Sequence, residues 1–366
     1  MTEEILDWLG LSLTPGVGSI LFKRLLERFQ TPAAVFKASV KELLTVEGLG
    51  ERVAEEIRKG PFEKAAEKEL YLLDRVGGKI ITFQEETYPK RLKAIYDPPP
   101  ILYTRGELRK EDHLAISVVG SRRTSSYGRS VTEKIARELV RHGVTIVSGM
   151  ARGIDSVAHQ SAISGGGRTI AILGCGVDVI YPPENRSLFE QILDHGAVLS
   201  EFPMGSPPEA SHFPKRNRVI SGLSLGVVVV QAGARSGSLI TAGYALEQGR
   251  EVFAVPGNVG FEGSLGAHHL IKEGAKLVES GEDILEEILP QWQKEEGPTQ
   301  EMESPVKDLP EEERKLYDLL GETPLHIDTL LRESQLEPGR ALSFLLDLEL
   351  KGLVLQSPGK CFSKKT

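Results

Sequence analysis

Six short apolar runs alternate with amphipathic segments through the middle of the chain, and this alternation constrains the fold more than any other feature. The runs lie at 115–119, 144–147, 169–173, 197–199, 227–230 and 252–255. One of the segments between them places Val131, Ile135 and Leu139 on a single helical face. Continuous apolar strands joined by helical crossovers are typical of a parallel sheet covered on both faces. The centre of the chain is therefore predicted to be an α/β domain with a Rossmann-like, doubly wound, mainly parallel sheet.

Prolines and acidic residues divide the chain into parts. Residues 98–100 are three consecutive prolines, which interrupt regular helices and strands. Residues 291–313 hold two lysines and eight acidic residues with no apolar periodicity, a composition typical of a linker. The predicted organisation is a helical module at 1–97, the Rossmann-like domain at 98–290, an acidic linker at 291–309 and a C-terminal domain at 310–366.

Two similar turns in the N-terminal module each precede a helical pattern. Residues 14–18 (TPGVG) and 46–50 (VEGLG) both place a glycine–hydrophobic–glycine turn before a helix. Such turns are typical of the helix-hairpin-helix motif, in which backbone N–H groups at the helix start face a phosphate. Four glutamates surround the second turn, so we interpret it as a structural or partner-binding hairpin. Lys23 and Arg24 leave DNA binding open at the first turn.

The C-terminal domain has the pattern of a winged helix. Three helical segments and a short β-hairpin are predicted between residues 310 and 362. The third helix begins at Pro338 and balances two cations against two acids, unlike a basic helix that reads a DNA groove. We interpret this domain as a protein-contact surface or an accessory fold.

Composition excludes several classes of protein. The longest apolar run, 225–230, is far shorter than a membrane span, and the acidic start of the chain lacks the basic region of a secretory signal. Cys175 and Cys361 are too few for a disulfide framework or a four-thiolate zinc site. We therefore expect a cytoplasmic protein without a membrane span. The net charge is −8, but the acidic residues of 291–313 contribute most of it, which leaves room for positive surface elsewhere.

Four of the predicted strands are followed by glycine-rich loops. The loops are 120–123 (GSRR), 148–155 (SGMARGID), 174–176 (GCG) and 233–238 (GARSGS). In an open parallel sheet, ligands bind beyond the carboxyl ends of the strands, and N–H groups at helix starts bind anions. Tight turns alone would use the same glycines, but three of the loops also carry arginine. The set favours a phosphate-rich ligand over simple turns.

Residues 212–218 (HFPKRNR), between the fourth and fifth predicted strands, are the most informative segment. Three cations would neutralise phosphates, and Phe213 offers a ring on which a base can stack. The alternative is a solvated basic loop with Phe213 buried in the domain. Together with the four loops, the segment favours nucleic-acid binding.

Motifs for catalysis or for a cofactor are weak. The loop 120–123 does not match G-x-G-x-x-G, and G-x-x-x-x-G-K-[ST] is absent. Residues 222–226 (GLSLG) match G-x-S-x-G, but the strand follows the serine instead of preceding it. We interpret His159 as a packing residue and Asp155 as a helix cap, and the adjacent His268 and His269 lack further ligands at metal spacing. No catalytic residue, metal or cofactor is predicted, and a binding protein is favoured over an enzyme.

Several long motifs resemble the DNA-processing protein A family, also called DprA or Smf. They are 148–155 (SGMARGID), 213–224 (FPKRNRVISGLS), 237–242 (GSLITA) and 249–257 (GREVFAVPG), and the resemblance extends over essentially the whole chain. It implies a bacterial cytoplasmic protein that binds single-stranded DNA during natural transformation and recombination. It also implies that the protein shields this DNA, loads the RecA recombinase on it, forms a homodimer through the Rossmann-like domain and catalyses no reaction.

The resemblance further implies which residues form the nucleic-acid site. A phosphate would be held in the first loop by Gly120, Ser121 and Arg122. The path of the strand would be lined by Phe213, Lys215, Arg216, Asn217 and Arg218. A neighbouring phosphate cradle would be formed by Arg235, Ser236, Gly237 and Ser238.

The alternative is a nucleotide-processing enzyme that resembles the phosphoribohydrolase (LOG-like) family, which has a similar Rossmann-like domain. That family carries P-G-G-x-G-T followed by a glutamate that serves the chemistry. The comparable residues here, 232–241, contain no glutamate, and the next one is Glu247. This absence favours binding over hydrolysis, and an assay of nucleotide hydrolysis separates the two.

Overall fold

The computed structural model describes residues 2–60, 62–296, 310–321, 324–334, 336–350, 353–357 and 359–364. The chain divides into two compact units, Met1–Trp292 and Gln293–Thr366. Of the predicted linker, residues 291–296 are the last residues of the helix Gly281–Glu296, whereas 297–309 lie outside the described residues.

The first unit begins with six helices that share a hydrophobic core. They are α1 (Thr2–Ser12), α2 (Ser19–Phe29), α3 (Pro32–Lys37), α4 (Val40–Leu43), α5 (Glu51–Arg58) and α6 (Glu63–Asp74). The two predicted turns lead into α2 and α5, whose N-caps are Gly18 and Gly50. Trp8 and Phe22 stack in this core, which also includes Tyr103 of the neighbouring sheet. The helical module therefore packs directly against the edge of the sheet.

A nine-stranded sheet forms the centre of the first unit. Its strands are β1 (Lys79–Thr82), β2 (Ile101–Gly106), β3 (Ala115–Val119), β4 (Thr145–Ser148), β5 (Thr169–Ile172), β6 (Gly196–Ser200), β7 (Gly226–Val229), β8 (Glu251–Ala254) and β9 (Lys276–Leu277). The order is β1-β2-β6-β5-β4-β3-β7-β8-β9, and every pair from β6 to β9 in this order is parallel. The six predicted strands are β3 to β8, and the predicted fold class is confirmed. Strands β1 and β2 add an antiparallel edge that starts before the predicted boundary at residue 97.

Helices cover both faces of this sheet. They are α7 (Lys90–Lys93), α8 (Ser126–Arg141), α9 (Ile154–Ser164), α10 (Arg186–His195), α11 (His212–Leu223), α12 (Gly237–Glu247), α13 (Leu265–Lys272) and α14 (Gly281–Glu296). Along β3, Ala115 and Val119 belong to the core under α11 and α12, while Ile116 and Val118 belong to the core under α8 and α9. Because both faces are buried, the strand is a continuous apolar run. None of the helices in the described ranges is long and apolar enough to cross a membrane.

The sheet reverses its winding between β3 and β7. Strands β4, β5 and β6 follow β3 on one side, whereas β7 and β8 lie on the other. At such a switch point the loops leaving the two central strands diverge and open a crevice at the carboxyl ends. The loops 120–123 and 233–238 therefore begin at neighbouring strands, on the same edge of the sheet.

The second unit is a winged-helix fold. It contains α15 (Glu311–Leu319), α16 (Ile327–Ser334) and α17 (Pro338–Leu350), with β10 (Leu325–His326), β11 (Val354–Ser357) and β12 (Cys361–Lys364). Its core is built by leucines such as Leu316, Leu330 and Leu345. The three predicted helices and the hairpin are confirmed. The two-residue strand β10, which pairs with β12, was not predicted because it is too short to show a pattern.

A buried network of charges lies where the N-terminal helices meet the sheet. Arg218 of α11 is 5% exposed, and its guanidinium contacts Asp97 at 2.9 Å and Glu201 at 2.6 Å. Its Nη2 also lies 3.5 Å from the hydroxyl of Ser19, the first residue of α2. Burial raises the pKa of the Glu201 carboxyl, and the positive charge of Arg218 opposes that rise. Arg218 was expected on the DNA path; in the structure it is buried and pairs with these two carboxylates.

Replacing Arg218 by methionine should destabilise the first unit by about 3–5 kcal/mol, because the Glu201 carboxylate is left buried without its cation. Urea unfolding of the variant beside the wild type measures the loss. The double variant Arg218→Met/Glu201→Gln should recover much of it, since the carboxylate that then lacks its cation, Asp97, is a third exposed and solvated. A single variant as stable as the wild type would show that the network contributes nothing.

Candidate nucleic-acid interface

A large cavity opens at the carboxyl edge of the sheet, at the switch point between β3 and β7. Its volume is about 860 Å³. It is bounded by the loops after β3, β4 and β7 and by the first turns of α11 and α12. The polar and aromatic residues that line it are Ser121, Arg122, Arg123, Asp155, Tyr181, Phe213, Arg216, Asn217, Arg235, Ser236, Ser238 and Thr241.

The segment 212–218 is helical, so it is not the solvated basic loop that the sequence left open as the alternative. It forms the first two turns of α11, so its side chains point in different directions. Phe213 and Arg216 face the cavity, Lys215 is exposed to solvent, and Arg218 faces the interior. The sequence does not distinguish these three cations, whereas the helix directs one to solvent, one to the cavity and one to the interior.

Phe213 presents its ring in the wall of the cavity. The ring is partly buried and packs on the backbone of Gly174 and beside Tyr181, with 5.8 Å between the two ring centroids. The guanidinium carbons of Arg122 and Arg216 lie 5.3 and 5.9 Å from its centroid, within the range of cation–π attraction. Loop 174–176, one of the four loops predicted to favour a phosphate-rich ligand, packs against the Phe213 ring through Gly174.

Arg216 is the buried cation of the site. It is 4% exposed, and its Nη1 donates to the carbonyls of Gly149, at 2.7 Å, and Ile172. A Cβ at Gly149 would lie 2.6 Å from the guanidinium, so a larger residue there would displace the Arg216 side chain. Burial lowers the pKa of Arg216 to about 10, with the Asp155 carboxylate opposing the shift. The guanidinium is therefore still charged at neutral pH.

Asp155 closes the loop after β4 instead of capping a helix, which corrects the sequence interpretation. The N-cap of α9 is Gly153, and Asp155 Oδ2 accepts the N–H groups of Gly149 and Ala151 at 3.2 and 3.4 Å. Burial raises its pKa to about 6, while Arg216 and the two N–H donors oppose the rise. The loop is thus held between a buried carboxylate and a buried guanidinium.

The turn after β3 is fixed by the end of β7. Gln231 accepts the Ser121 N–H with its backbone carbonyl at 2.7 Å and the Ser125 N–H with its side-chain oxygen at 3.1 Å. Within the turn, the Ser121 hydroxyl donates to the Arg123 carbonyl and accepts the Arg123 N–H. The exposed side chains of Arg122 and Arg123 therefore extend from a rigid turn into the cavity.

The first turn of α12 forms the opposite rim. Ser236 is its N-cap and accepts the Ser238 N–H at 3.4 Å. Asn217 of α11 donates to the Gly237 carbonyl at 3.3 Å and ties the two helices together. An exposed arginine, Arg235, precedes this helix start, where backbone N–H groups favour anions.

The charge of the cavity is strongly positive. Four arginines line it, Arg122, Arg123, Arg216 and Arg235, against one carboxylate, Asp155. An anion that enters this space is attracted from several sides at once, and the low-dielectric walls strengthen the effect. The arrangement suits a chain of phosphates beside a planar aromatic group.

Most residues predicted for the nucleic-acid site line this cavity. They are Gly120, Ser121, Arg122, Phe213, Arg216, Asn217, Arg235, Ser236, Gly237 and Ser238. Lys215 is exposed on α11 but is not among the lining residues, and Arg218 lies in the interior network. Tyr181 also lines the cavity but was not predicted; the loop after β5 brings its ring beside Phe213. The one sequence feature that could have indicated it is its position after the glycine-rich end of a strand.

The weaker motifs have structural uses. Ser224 is buried and shares a hydrogen bond of 2.7 Å with Ser117, so the G-x-S-x-G match is not a nucleophile elbow. His159 is buried against the Thr169 hydroxyl at 2.6 Å, and burial lowers its pKa to about 3. His268 contacts the Gly257 carbonyl while His269 pairs with Glu273. Within the described residues, no group of three His, Cys, Asp or Glu side chains is placed to hold a metal ion.

Comparison with known proteins assigns the family. A family model described as DNA recombination-mediator protein A matches residues 79–289, which is more than half of the chain. This chain belongs to the DNA recombination-mediator protein A family. The models for a SAM-like helix-hairpin-helix tandem and for the DprA winged helix domain match residues 11–60 and 300–360. These matches agree with the family resemblance of the sequence motifs.

Individual members of the DNA recombination-mediator protein A family align over most of their length. Protein Smf of Synechocystis sp. is 36% identical, and the alignment covers 98% of each chain. The X-ray structure of DprA from Streptococcus pneumoniae has a TM-score of 0.69 and 37% identity over 77% of this chain and 98% of that one. DNA processing protein A from Helicobacter pylori, whose structure concerns its single-stranded DNA binding mode, has a TM-score of 0.53 and 30% identity over 58% and 96%.

Two glycine variants test how closely the loops after β3 and β4 must approach. Gly153 has a φ of 78°, and a Cβ there would lie 2.8 Å from the carbonyl carbon of Arg122, whereas Gly166 has a φ of 75° with open space around it. Gly166→Ala should cost about 1–2 kcal/mol of stability from backbone strain alone. Gly153→Ala should cost about 1–3 kcal/mol more, because the two loops are pushed apart.

Urea unfolding of the two variants gives this difference, to which the backbone of Gly153 also contributes because its ψ of −126° lies outside the left-handed region. Equal losses of unfolding free energy in the two variants would mean that the turn after β3 moves to accommodate the added methyl group at little cost.

Proposed function

We propose that this protein binds single-stranded DNA in the cavity at the switch point, without sequence preference, and serves DNA processing in transformation and recombination. The observation that carries the proposal is the juxtaposition of the Phe213 ring with four arginines in one cavity. Aromatic rings that stack bases and cations that neutralise phosphates are the two components of sequence-independent single-strand binding. The relative from Helicobacter pylori, with its single-stranded DNA binding mode, supports the same ligand.

The recessed position of Phe213 favours a single strand over a duplex. The ring lies in the wall of a cavity, so a base reaches it only after leaving the base stack, which a duplex opposes by a few kcal/mol. Arg122 covers the ring at 5.3 Å in the free protein. Since Arg122 is exposed, its guanidinium can turn to a phosphate and leave the ring to a base, or itself stack on that base.

The proposal includes no catalytic step. The carboxylate that lines the cavity, Asp155, accepts two backbone N–H bonds of its own loop, a use that holds the loop in place. Nucleotide hydrolysis by the purified protein would revive the phosphoribohydrolase alternative, with Asp155 as the first residue to examine.

The proposed partners are a second copy of the chain and the RecA recombinase, as the family resemblance implies. The winged-helix domain is not assigned a DNA site, since its third helix, α17, carries Arg340 against Asp347 and Glu349.

Titration of labelled oligonucleotides tests the proposed function. Single strands should bind more tightly than the matching duplex, with little difference between sequences. The affinity should fall with rising salt, because each neutralised phosphate releases counterions. Equal affinity for the duplex, or binding that does not respond to salt, would contradict the proposal.

Arg122→Ala should weaken single-strand binding by about 1–3 kcal/mol, as the loss of a charged hydrogen bond does. Phe213→Ala should lose a similar amount if a base stacks on the ring, and the double variant should lose less than the sum because the two side chains are in contact. Arg141→Ala is the matched control, since Arg141 is an exposed arginine at the far end of α8.

A melting curve accompanies each variant, because Phe213 packs on Gly174 and Tyr181 and its removal can also cost stability. Folded Arg122 and Phe213 variants that bind DNA like the Arg141 variant would remove the cavity from the proposal.

A further inference from the structure

A second, smaller cavity opens at the same edge of the sheet, between the first turn of α8 and the loop that follows β8. Its volume is about 180 Å³. The residues that matter for its chemistry are Ser125, Tyr127, Gln231, Asn258, Phe261 and Ser264. The sequence motif 249–257 ends at Gly257 on its wall, but the proposed function does not use this space.

Two aromatic side chains at this cavity are unusually exposed. Tyr127 is 51% exposed and Phe261 is 45% exposed. The Tyr127 hydroxyl donates to the Pro256 carbonyl at 2.8 Å, so the ring is held across the loop after β8. Rings that are fixed in place and accessible to solvent are the groups on which successive bases of a single strand stack.

The remaining lining is polar but uncharged. Asn258 brings an amide and Ser264 a hydroxyl, and none of the described residues that line the cavity carries a charge. A phosphate would find no cation here, whereas a base offers donors and acceptors that match an amide and a hydroxyl. The volume is suitable too, because a cavity of about 150 Å³ already holds a benzene ring.

One turn separates this cavity from the larger one. Ser121, Arg122 and Arg123 line the larger cavity, and Ser125, two residues further on, lines the smaller one. Gln231, which is 4% exposed, fixes both ends of the turn by accepting the N–H groups of Ser121 and Ser125. A single strand that places its phosphates on this turn therefore has a cavity for a base on either side.

We propose that the cavity between Tyr127 and Phe261 is a second nucleobase subsite, which takes a base of the same DNA strand that occupies the larger cavity. The proposal rests on the proposed function, because it needs a strand held at the turn after β3. It extends the DNA path over the turn towards the end of β8.

Affinity for an oligothymidylate of about twenty nucleotides, long enough to cross both cavities, tests the proposal. Phe261→Ala and Tyr127→Ala in the full chain should each weaken binding by between about five-fold and about one-hundred-fold, the range that one stacked base contributes. Tyr127→Phe keeps the ring and should retain most of the affinity. Tyr96→Ala is the matched control, since Tyr96 is 72% exposed but lines neither cavity, and it should bind like the wild type.

A strand of the same length made of abasic sites separates stacking from other effects. It keeps every phosphate but has no base, so the Phe261 and Tyr127 variants should bind it as the wild type does. Variants that bind oligothymidylate like the wild type overturn the proposal, and so do variants that lose equal affinity for both strands. If the wild type itself binds no single strand, the proposed function fails; if only Phe213→Ala weakens binding, the proposed function stands and the second subsite fails.

Discussion

The buried guanidinium of Arg216 is the interaction on which the site depends. It extends from α11 to the carbonyls of Gly149 and Ile172, at the ends of β4 and β5, and so connects a helix on one face to the edge of two strands. A charge buried this deeply is tolerated only when it is hydrogen-bonded and partly neutralised. The carbonyls and the nearby Asp155 carboxylate meet that requirement. The loop after β4 is held in one conformation as a result.

The shape of the cavity follows from the winding of the sheet. Because the strand order reverses between the parallel strands β3 and β7, the turn after β3 and the loop after β7 part at the carboxyl edge. Gln231, just after β7, holds the turn after β3 in place by accepting hydrogen bonds with both its backbone carbonyl and its side-chain oxygen. Rigid turns lose little conformational entropy when a ligand binds, so the exposed arginines they carry can use their binding energy for the phosphates.

The cations of this protein fall into two groups with different physical roles. Arg216 and Arg218 are buried and connect elements of the fold, one at the sheet edge and one at the junction with the N-terminal helices. Arg122, Arg123 and Arg235 are exposed and point their charges at the cavity. An exposed arginine is solvated until a phosphate replaces its water, whereas a buried one must keep its protein partners in every state.

The sequence by itself determined the fold class, the six central strands and the sheet edge at which the cavity lies, because these follow from local patterns. An apolar run between two amphipathic helices is legible without any knowledge of what it packs against, and glycine-rich loops mark the carboxyl ends of strands. Strands β1, β2, β9 and β10 were not predicted, since β9 and β10 have only two residues each, and β1 and β2 form an antiparallel edge outside the alternation of strands and helices. Only the tertiary structure decided which of the predicted cations line the cavity and which lie in the interior. The segment 212–218 contains four polar or charged residues in succession, and the sequence does not distinguish their roles. In the structure, the helical periodicity of 3.6 residues per turn and the close packing of α11 direct Arg216 to the cavity wall and Arg218 to Glu201. The positions of Tyr181 and Asp155 were likewise decided only by the tertiary structure. Contacts between distant loops are set by the packing of the whole sheet and not by the neighbours of a residue in the chain.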